Sequence, residues 1–327
     1  MKLLIIGAAG MVGRKLVQRL AKDGGIEGRA IVGAHLVDVV APEPPPAAPF
    51  PCLCEAVDIA APYHAPKLVA DRPDVIFLLA SIVSGEAEAD FDKGYAINLD
   101  GTRHIFDAIR QAHLRSGGAY RPRVVFTSSI AVFGAPFPDA IGDEFLCAPL
   151  TSYGTQKAIC ELLLSDHSRR GFFDGLALRL PTICVRPGKA NKAASGFFSN
   201  IIREPLAGKE AVLPVPDDVR HWHASPRSAV DFLLRAATLD TARLGPRRAL
   251  TLPGVCVSVG EQIEALRRVA GEAAAKLIRR EPDPAIMRIV AGWPSAFDAR
   301  RALALGFAAD ASFDQIIQRH IEDEHVA

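Results

Sequence analysis

Apolar residues in this chain fall into short unbroken runs separated by stretches with helical spacing. Lys2–Ile6 is apolar after its first residue, and similar runs follow at Asp74–Leu79 and Arg123–Thr127 and, each broken by one polar residue, at Ala30–Val37 (His35) and Leu176–Leu180 (Arg179). An unbroken apolar run, unlike an alternating one, marks a strand covered on both faces. Helical patterns lie between them at Arg14–Lys22, Tyr95–His113 and Tyr153–Ser168. This alternation predicts an α/β fold built on a doubly wound parallel sheet. The segment Ile82–Asp92, with four acidic residues, reads as a loop or short helix, and residues 41–51, with six prolines, as a surface loop.

Beyond Pro181 the pattern changes. Helices are expected at Pro226–Leu239 and Val259–Ala270, a strand at Arg248–Leu252, and a charged, exposed helical end at Ser312–Glu324. The organisation expected is a dinucleotide-binding domain over 1–180, with a return segment at about 216–253. A smaller mixed α/β substrate-binding region then comprises 181–215 and 254–327.

Composition narrows the function. With 38 basic and 37 acidic residues the net charge is +1, which gives no broad electrostatic case for nucleic acid or an anionic membrane. A small-molecule ligand is expected instead. The six cysteines lack CxxC spacing, so neither a metal site nor a disulfide framework is expected, and they read as reduced thiols of a cytoplasmic protein. The first apolar run stops at Gly7 without a cleavage region, so it reads as a strand rather than a signal peptide. No apolar span reaches the length of a membrane anchor.

The first strand runs into Gly7-Ala8-Ala9-Gly10-Met11-Val12-Gly13 and then a helix. Strand, glycine turn and helix are the context of a dinucleotide site. The first glycine permits the tight turn, the second admits a pyrophosphate, and the third lets helix pack on strand. Asp38, at the end of the second strand, is placed to accept from an adenosine ribose and to repel a 2'-phosphate, which favours NAD over NADP. Asp58 and Ile59 are candidates for the adenine edge. Small residues after Leu79, namely Ala80 and Ser81, leave room for cofactor or substrate, and Asn98 is placed to bond neighbouring strand backbone.

Tyr153 and Lys157, four residues apart on a helix, share a face. A cation beside a phenol favours phenolate, and Ser129, at a strand end, can donate to and accept from a substrate oxygen. Together the three can remove a proton from an alcohol. Two cationic segments, Arg186–Lys192 and Arg220–His223, can recognise an anion; Ser81, Arg186, Asn191, Lys192 and His223 are the candidates for a substrate carboxylate.

Gly7, Gly10, Gly13, Asp38, Asn98, Ser129, Tyr153 and Lys157, in that order, resemble the extended short-chain dehydrogenase/reductase family, which includes nucleotide-sugar epimerases and dehydratases. The resemblance covers nearly the whole chain. It implies a Rossmann-like fold, NAD as cofactor, and Ser129, Tyr153 and Lys157 as catalytic residues, with Ser129 rather than Ser128 as the hydroxyl. The match of Leu178–Thr182 implies that Pro181 and Thr182 pass the nicotinamide. Thr182 stands where nucleotide-sugar members carry Asn, and Val185-Arg186-Pro187-Gly188 replaces their tyrosine-glycine-proline pattern, which argues against a sugar-nucleotide diphosphate. The segments Ala80–Asp90 and Asn98–Thr102 and the cluster around Trp222 resemble a branch whose chemistry is oxidation of a four-carbon sugar acid at C2 to the 2-oxo acid. That adds Trp222 to the substrate residues. The alternatives are an epimerase or dehydratase that recycles bound NAD and, from another class, a non-catalytic NAD sensor. The resemblance also implies a homodimer through the helices at Tyr95–His113 and Tyr153–Ser168.

Overall fold

The computed structural model describes residues 1–188 and 194–325. Its centre is a seven-stranded sheet. In chain order the strands are β1 (Lys2–Ile6), β2 (Gly33–Asp38), β3 (Cys52–Ala56), β4 (Val75–Leu78), β5 (Arg123–Ser129), β6 (Asp174–Leu180) and β7 (Ala249–Thr251). Their spatial order is β7-β6-β5-β4-β1-β2-β3, with every neighbouring pair parallel. The order reverses between β1 and β4, and in such sheets the crevice at the strand carboxyl ends of that switch point receives the ligand.

Strand alternation sorts the core into two layers. Leu3 and Ile5 of β1 pack with Leu16, Val17 and Leu20 of α1 (Met11–Asp23) on one face. Leu4 and Ile6 pack on the other face with Ile105, Phe106 and Ile109 of α2 (Thr102–Arg115) and with Cys160 and Leu164 of α3 (Ser152–Arg169). The doubly wound architecture expected from the sequence is therefore the fold.

Beyond β6 the chain builds a mixed three-stranded sheet in which Arg220–Ala224 lies between Thr182–Ile183, parallel to it, and Val255–Ser258, antiparallel. Helices α4 (Gly196–Leu206), α6 (Val259–Ala275) and α8 (Phe313–Glu324) share a separate apolar core there. Helix α5 (Pro226–Thr238) instead returns to the first layer through Phe232 and Leu233. The short α7 (Pro284–Ala291) precedes Trp293.

Several boundaries differ from expectation. The second strand begins at Gly33, because Gly25–Ile26 and Arg29–Ala30 pair as a separate small hairpin. Edge strand β3 has no apolar run to announce it, since its residues are exposed or half-buried. Helix α6 extends past Ala270 across a non-helical Gly271 (φ 85°). The charged end is not free: Phe313, Ile316 and Ile317 of α8 are buried, Arg227 pairs with Glu322 and Asp323, and Lys15 pairs with Asp323 and Glu324.

Candidate active site

A cavity of about 460 Å³ opens at the carboxyl ends of β1, β4, β5 and β6 and reaches α4 and Trp293, within the size range of ligand sites. Its floor is the glycine turn. Gly7 has φ +96°, and a Cβ there would lie 2.5 Å from the Ala80 nitrogen. At Gly13 a Cβ would lie 2.1 Å from the Gly7 carbonyl oxygen. Gly10 N-caps α1 in extended conformation with no side-chain cap, and the first turn of α1 holds no acidic residue, so among the described residues its leading amides are open to an anion at the cavity, beside Met11 and Val12. This is a cradle suited to a phosphate.

Asp38 stands beside the turn, where its carboxylate accepts from the Ala9 amide at 3.0 Å and the Val39 amide at 2.7 Å. Asp58 is exposed and accepts from the Ala60 amide. Ile59 is buried against Gly101 in the core, so its side chain is packing, not a lining of the cavity. Leu79 and Ser81 line the cavity, and the Ala80 amide is bonded to Ile6. Asn98 lies in a π-helical turn, Tyr95–Gly101, that leads into α2. Its side chain accepts from Ser81 Oγ and the Ile82 amide, both at 2.9 Å, and donates to Gln156 at 2.8 Å. It thus fixes the loop after β4 and does not itself line the cavity.

Strand β5 delivers two serines. Ser128 Oγ donates to buried Glu161 at 2.5 Å, and the same carboxylate takes a bidentate grip on Arg179. Ser129 lines the cavity, and its Oγ accepts from the Ala131 amide at 3.1 Å. Helix α3, capped by Thr151 Oγ1 on the Gly154 amide, places Tyr153 and Lys157 on the cavity side. The Tyr153 ring keeps some exposure to the cavity, but burial raises the pKa of its hydroxyl, opposed by hydrogen bonding to Ser129 and Ser81 and by the charge of Arg186. Arg186 thus adds to Lys157, whose Nζ lies 5.7 Å from the centroid of the Tyr153 ring, as a cation near the phenol. Lys157 is 2% exposed, donates to the Thr127 carbonyl at 2.8 Å, and has its pKa brought down to about 8 by burial.

Arg186 lines the far side of the cavity, with Nε on the Ile183 carbonyl and Nη2 on Ser195 Oγ. Among the described residues it has no carboxylate partner, whereas nearby Arg203 is paired with Glu204. Asn191 and Lys192 lie outside the described residues.

The strand Arg220–Ala224 requires a correction. Trp222 and His223 were expected at the substrate, but Trp222 packs against Phe297 and donates to the Leu252 carbonyl, and His223 is fully buried against Gln262. His221 lines the cavity instead, as does Trp293, more than 70 residues further along the chain. Nor is the cluster cationic. Burial holds His221 down to about 4 and His223 well below the usual histidine range, and Arg220 is paired with Glu261.

The family model described as "NAD dependent epimerase/dehydratase family" matches residues 3–233. The chain belongs to that family. It is 46% identical to the D-erythronate dehydrogenase of Cupriavidus necator, with both chains covered in full. It is 42% identical to the D-erythronate dehydrogenase of Haemophilus influenzae, over 98% of this chain and 99% of that one. A crystal structure described as the nucleoside-diphosphate-sugar epimerase from Agrobacterium tumefaciens superposes with a TM-score of 0.97 at 66% identity, covering 99% of this chain and 94% of that one. The family is described as NAD dependent, and the glycine cradle with Asp38 beside it is suited to such a dinucleotide. Among the described residues no helix is long and apolar enough to cross a membrane.

Proposed function

We propose that this chain is an NAD-dependent D-erythronate dehydrogenase that oxidises C2 of the four-carbon acid to give 2-dehydro-D-erythronate. The observation that carries the reading is an arginine with no carboxylate partner among the described residues, Arg186, facing the same cavity as Ser129, Tyr153 and Lys157. It is supported by full-length similarity to two D-erythronate dehydrogenases.

Gly7, Gly10, Met11, Val12 and Gly13 hold the pyrophosphate, and Asp38 the adenosine ribose. Asp58 and Ile59 shape the adenine end, Ile59 through packing. Leu79, Ala80 and Asn98 set the loop along the dinucleotide, and Pro181 and Thr182 border the nicotinamide. NAD, when bound, supplies the hydride acceptor. Arg186 takes the substrate carboxylate, a charge-assisted contact that a guanidinium makes with two parallel bonds. Ser81 adds a polar group to the same cavity, and Asn191 and Lys192, outside the described residues, stay candidates from the sequence. Ser129 holds the C2 oxygen, and Tyr153 accepts its proton. Lys157 holds the nicotinamide ribose.

The substrate region is assigned to 181–215 and 254–327, around the nucleotide-binding core of 1–180 and 216–253. A cytoplasmic homodimer is part of the proposal; Leu114 of α2 and Leu162 of α3, 54% and 73% exposed, are apolar surface for it.

The second reading is a nucleotide-sugar epimerase, favoured by the description of the 66% identical Agrobacterium structure. Thr182 in place of asparagine argues against it. The test is NADH absorbance with purified protein, NAD and D-erythronate, alongside Tyr153→Phe. The wild type is expected to form NADH, and the variant to bind NAD yet form almost none. A fully active Tyr153→Phe protein would remove Tyr153 from the chemistry.

A further inference from the structure

Thr182 and His221 both line the cavity, on neighbouring strands, with Thr182 Oγ1 and His221 Nε2 2.7 Å apart. We propose that His221 is a positioning residue that holds the Thr182 hydroxyl as an acceptor toward the cavity, so that the site reads a hydroxyl of the substrate beyond the reacting carbon. The ligand class is accordingly a polyhydroxy acid rather than a plain 2-hydroxy acid. This rests on the D-erythronate reading and specifies its substrate recognition.

Three observations carry the inference. First, the His221 ring is fixed: it stacks on Phe198 (5.1 Å, 2° between planes) and packs at 5.4 Å against Trp293. Second, its tautomer is biased. Nδ1 is buried and has no partner in good hydrogen-bond geometry, but the Pro294 carbonyl is near enough to favour a proton there. A proline carbonyl can only accept, so it favours the tautomer with the proton on Nδ1 and Nε2 as the acceptor. Third, a hydroxyl has one proton. Thr182 gives it to Nε2, and only its lone pairs remain for the cavity. Burial, with Arg186 nearby, holds the histidine pKa at about 4, so Nε2 stays an acceptor at neutral pH.

A site built to bond a substrate hydroxyl discriminates against the analogue lacking it, because its own polar group is left unpaired. The Thr182 backbone can border the nicotinamide while its side chain faces the acid, so the two assignments are compatible.

The test compares kcat/KM for D-erythronate with that for its 3-deoxy and 4-deoxy analogues, under saturating NAD. The wild type is expected to prefer D-erythronate over one of the two. In Thr182→Val that preference should fall by about tenfold. His221→Phe, which keeps the stack on Phe198, should lose it equally, and the double variant should lose no more than either single one. His221→Gln, which retains an acceptor, should recover part of it. A merely structural role for His221 would depress all three acids alike. If His221→Phe does not fold, Thr182→Val decides. An unchanged preference in Thr182→Val, or a change confined to the KM for NAD, overturns the inference while leaving the dehydrogenase reading intact. A wild type that makes no NADH from D-erythronate overturns the dehydrogenase reading itself, and this inference with it.

Discussion

Replacing Lys157 with methionine should make the protein more stable while removing its activity. Lys157 is almost wholly buried, with one hydrogen bond, to the Thr127 carbonyl, and its pKa falls from 10.5 to about 8. That drop corresponds to about 3 kcal/mol held against the charged form. Methionine removes the penalty at similar volume but forfeits the bond to Thr127, worth about 1.5–3 kcal/mol to a charged donor. A net gain of up to about 1.5 kcal/mol at neutral pH follows, in line with other cases where an apolar residue replaces a buried charge. The pH dependence gives the sharper test. The native lysine loses its proton above pH 8 and the unfolded one only near 10.5. Between those values the unfolded state binds more protons, so wild-type stability rises with pH. Urea unfolding of the NAD-free proteins should show Lys157→Met ahead at pH 7 and its advantage shrinking from pH 8 towards 10.5. A variant less stable than wild type at pH 7, or a difference indifferent to pH, would refute the reasoning.

Two further outcomes are expected. Gly13→Ala drives a Cβ to 2.1 Å from the Gly7 carbonyl, so the turn must open; NAD affinity by fluorescence titration should fall at least tenfold and stability should drop with it. Arg186→Gln removes both the proposed carboxylate partner and a cation that favours Tyr153 phenolate. The KM for D-erythronate should rise strongly, and the ascending limb of the kcat/KM profile should move to higher pH, since the tyrosine then gives up its proton less readily. A limb that does not move would detach Arg186 from Tyr153.

What the chain discloses about itself depends on how local the cause is. β1, the glycine turn and α1 are legible because an apolar run, three glycines and a helical stripe each have one structural meaning in that order. Tyr153 and Lys157 are likewise legible, since one helix turn brings them to a common face whatever lies around them. Edge strand β3 was missed because it is paired on one side only and needs no apolar run. The cluster at Arg220–His223 misled for a related reason. It forms a strand whose alternation turns Trp222 to the opposite face from His221 and His223, and burial takes the charge from both histidines. Trp293 carries no local signal at all; only the packing of the C-terminal region brings it to the cavity. The role of Arg186 near Tyr153 was hidden because it depends on the fold bringing the charge of one within reach of the other across 33 positions of sequence.

The central claim is tested most directly by counting NADH against acid consumed when the purified protein meets NAD and D-erythronate. The expected result is one NADH for each molecule of D-erythronate, with a 2-oxo acid as the product. No net NADH, with NAD retained on the protein and a nucleotide sugar epimerised in its presence, would contradict it.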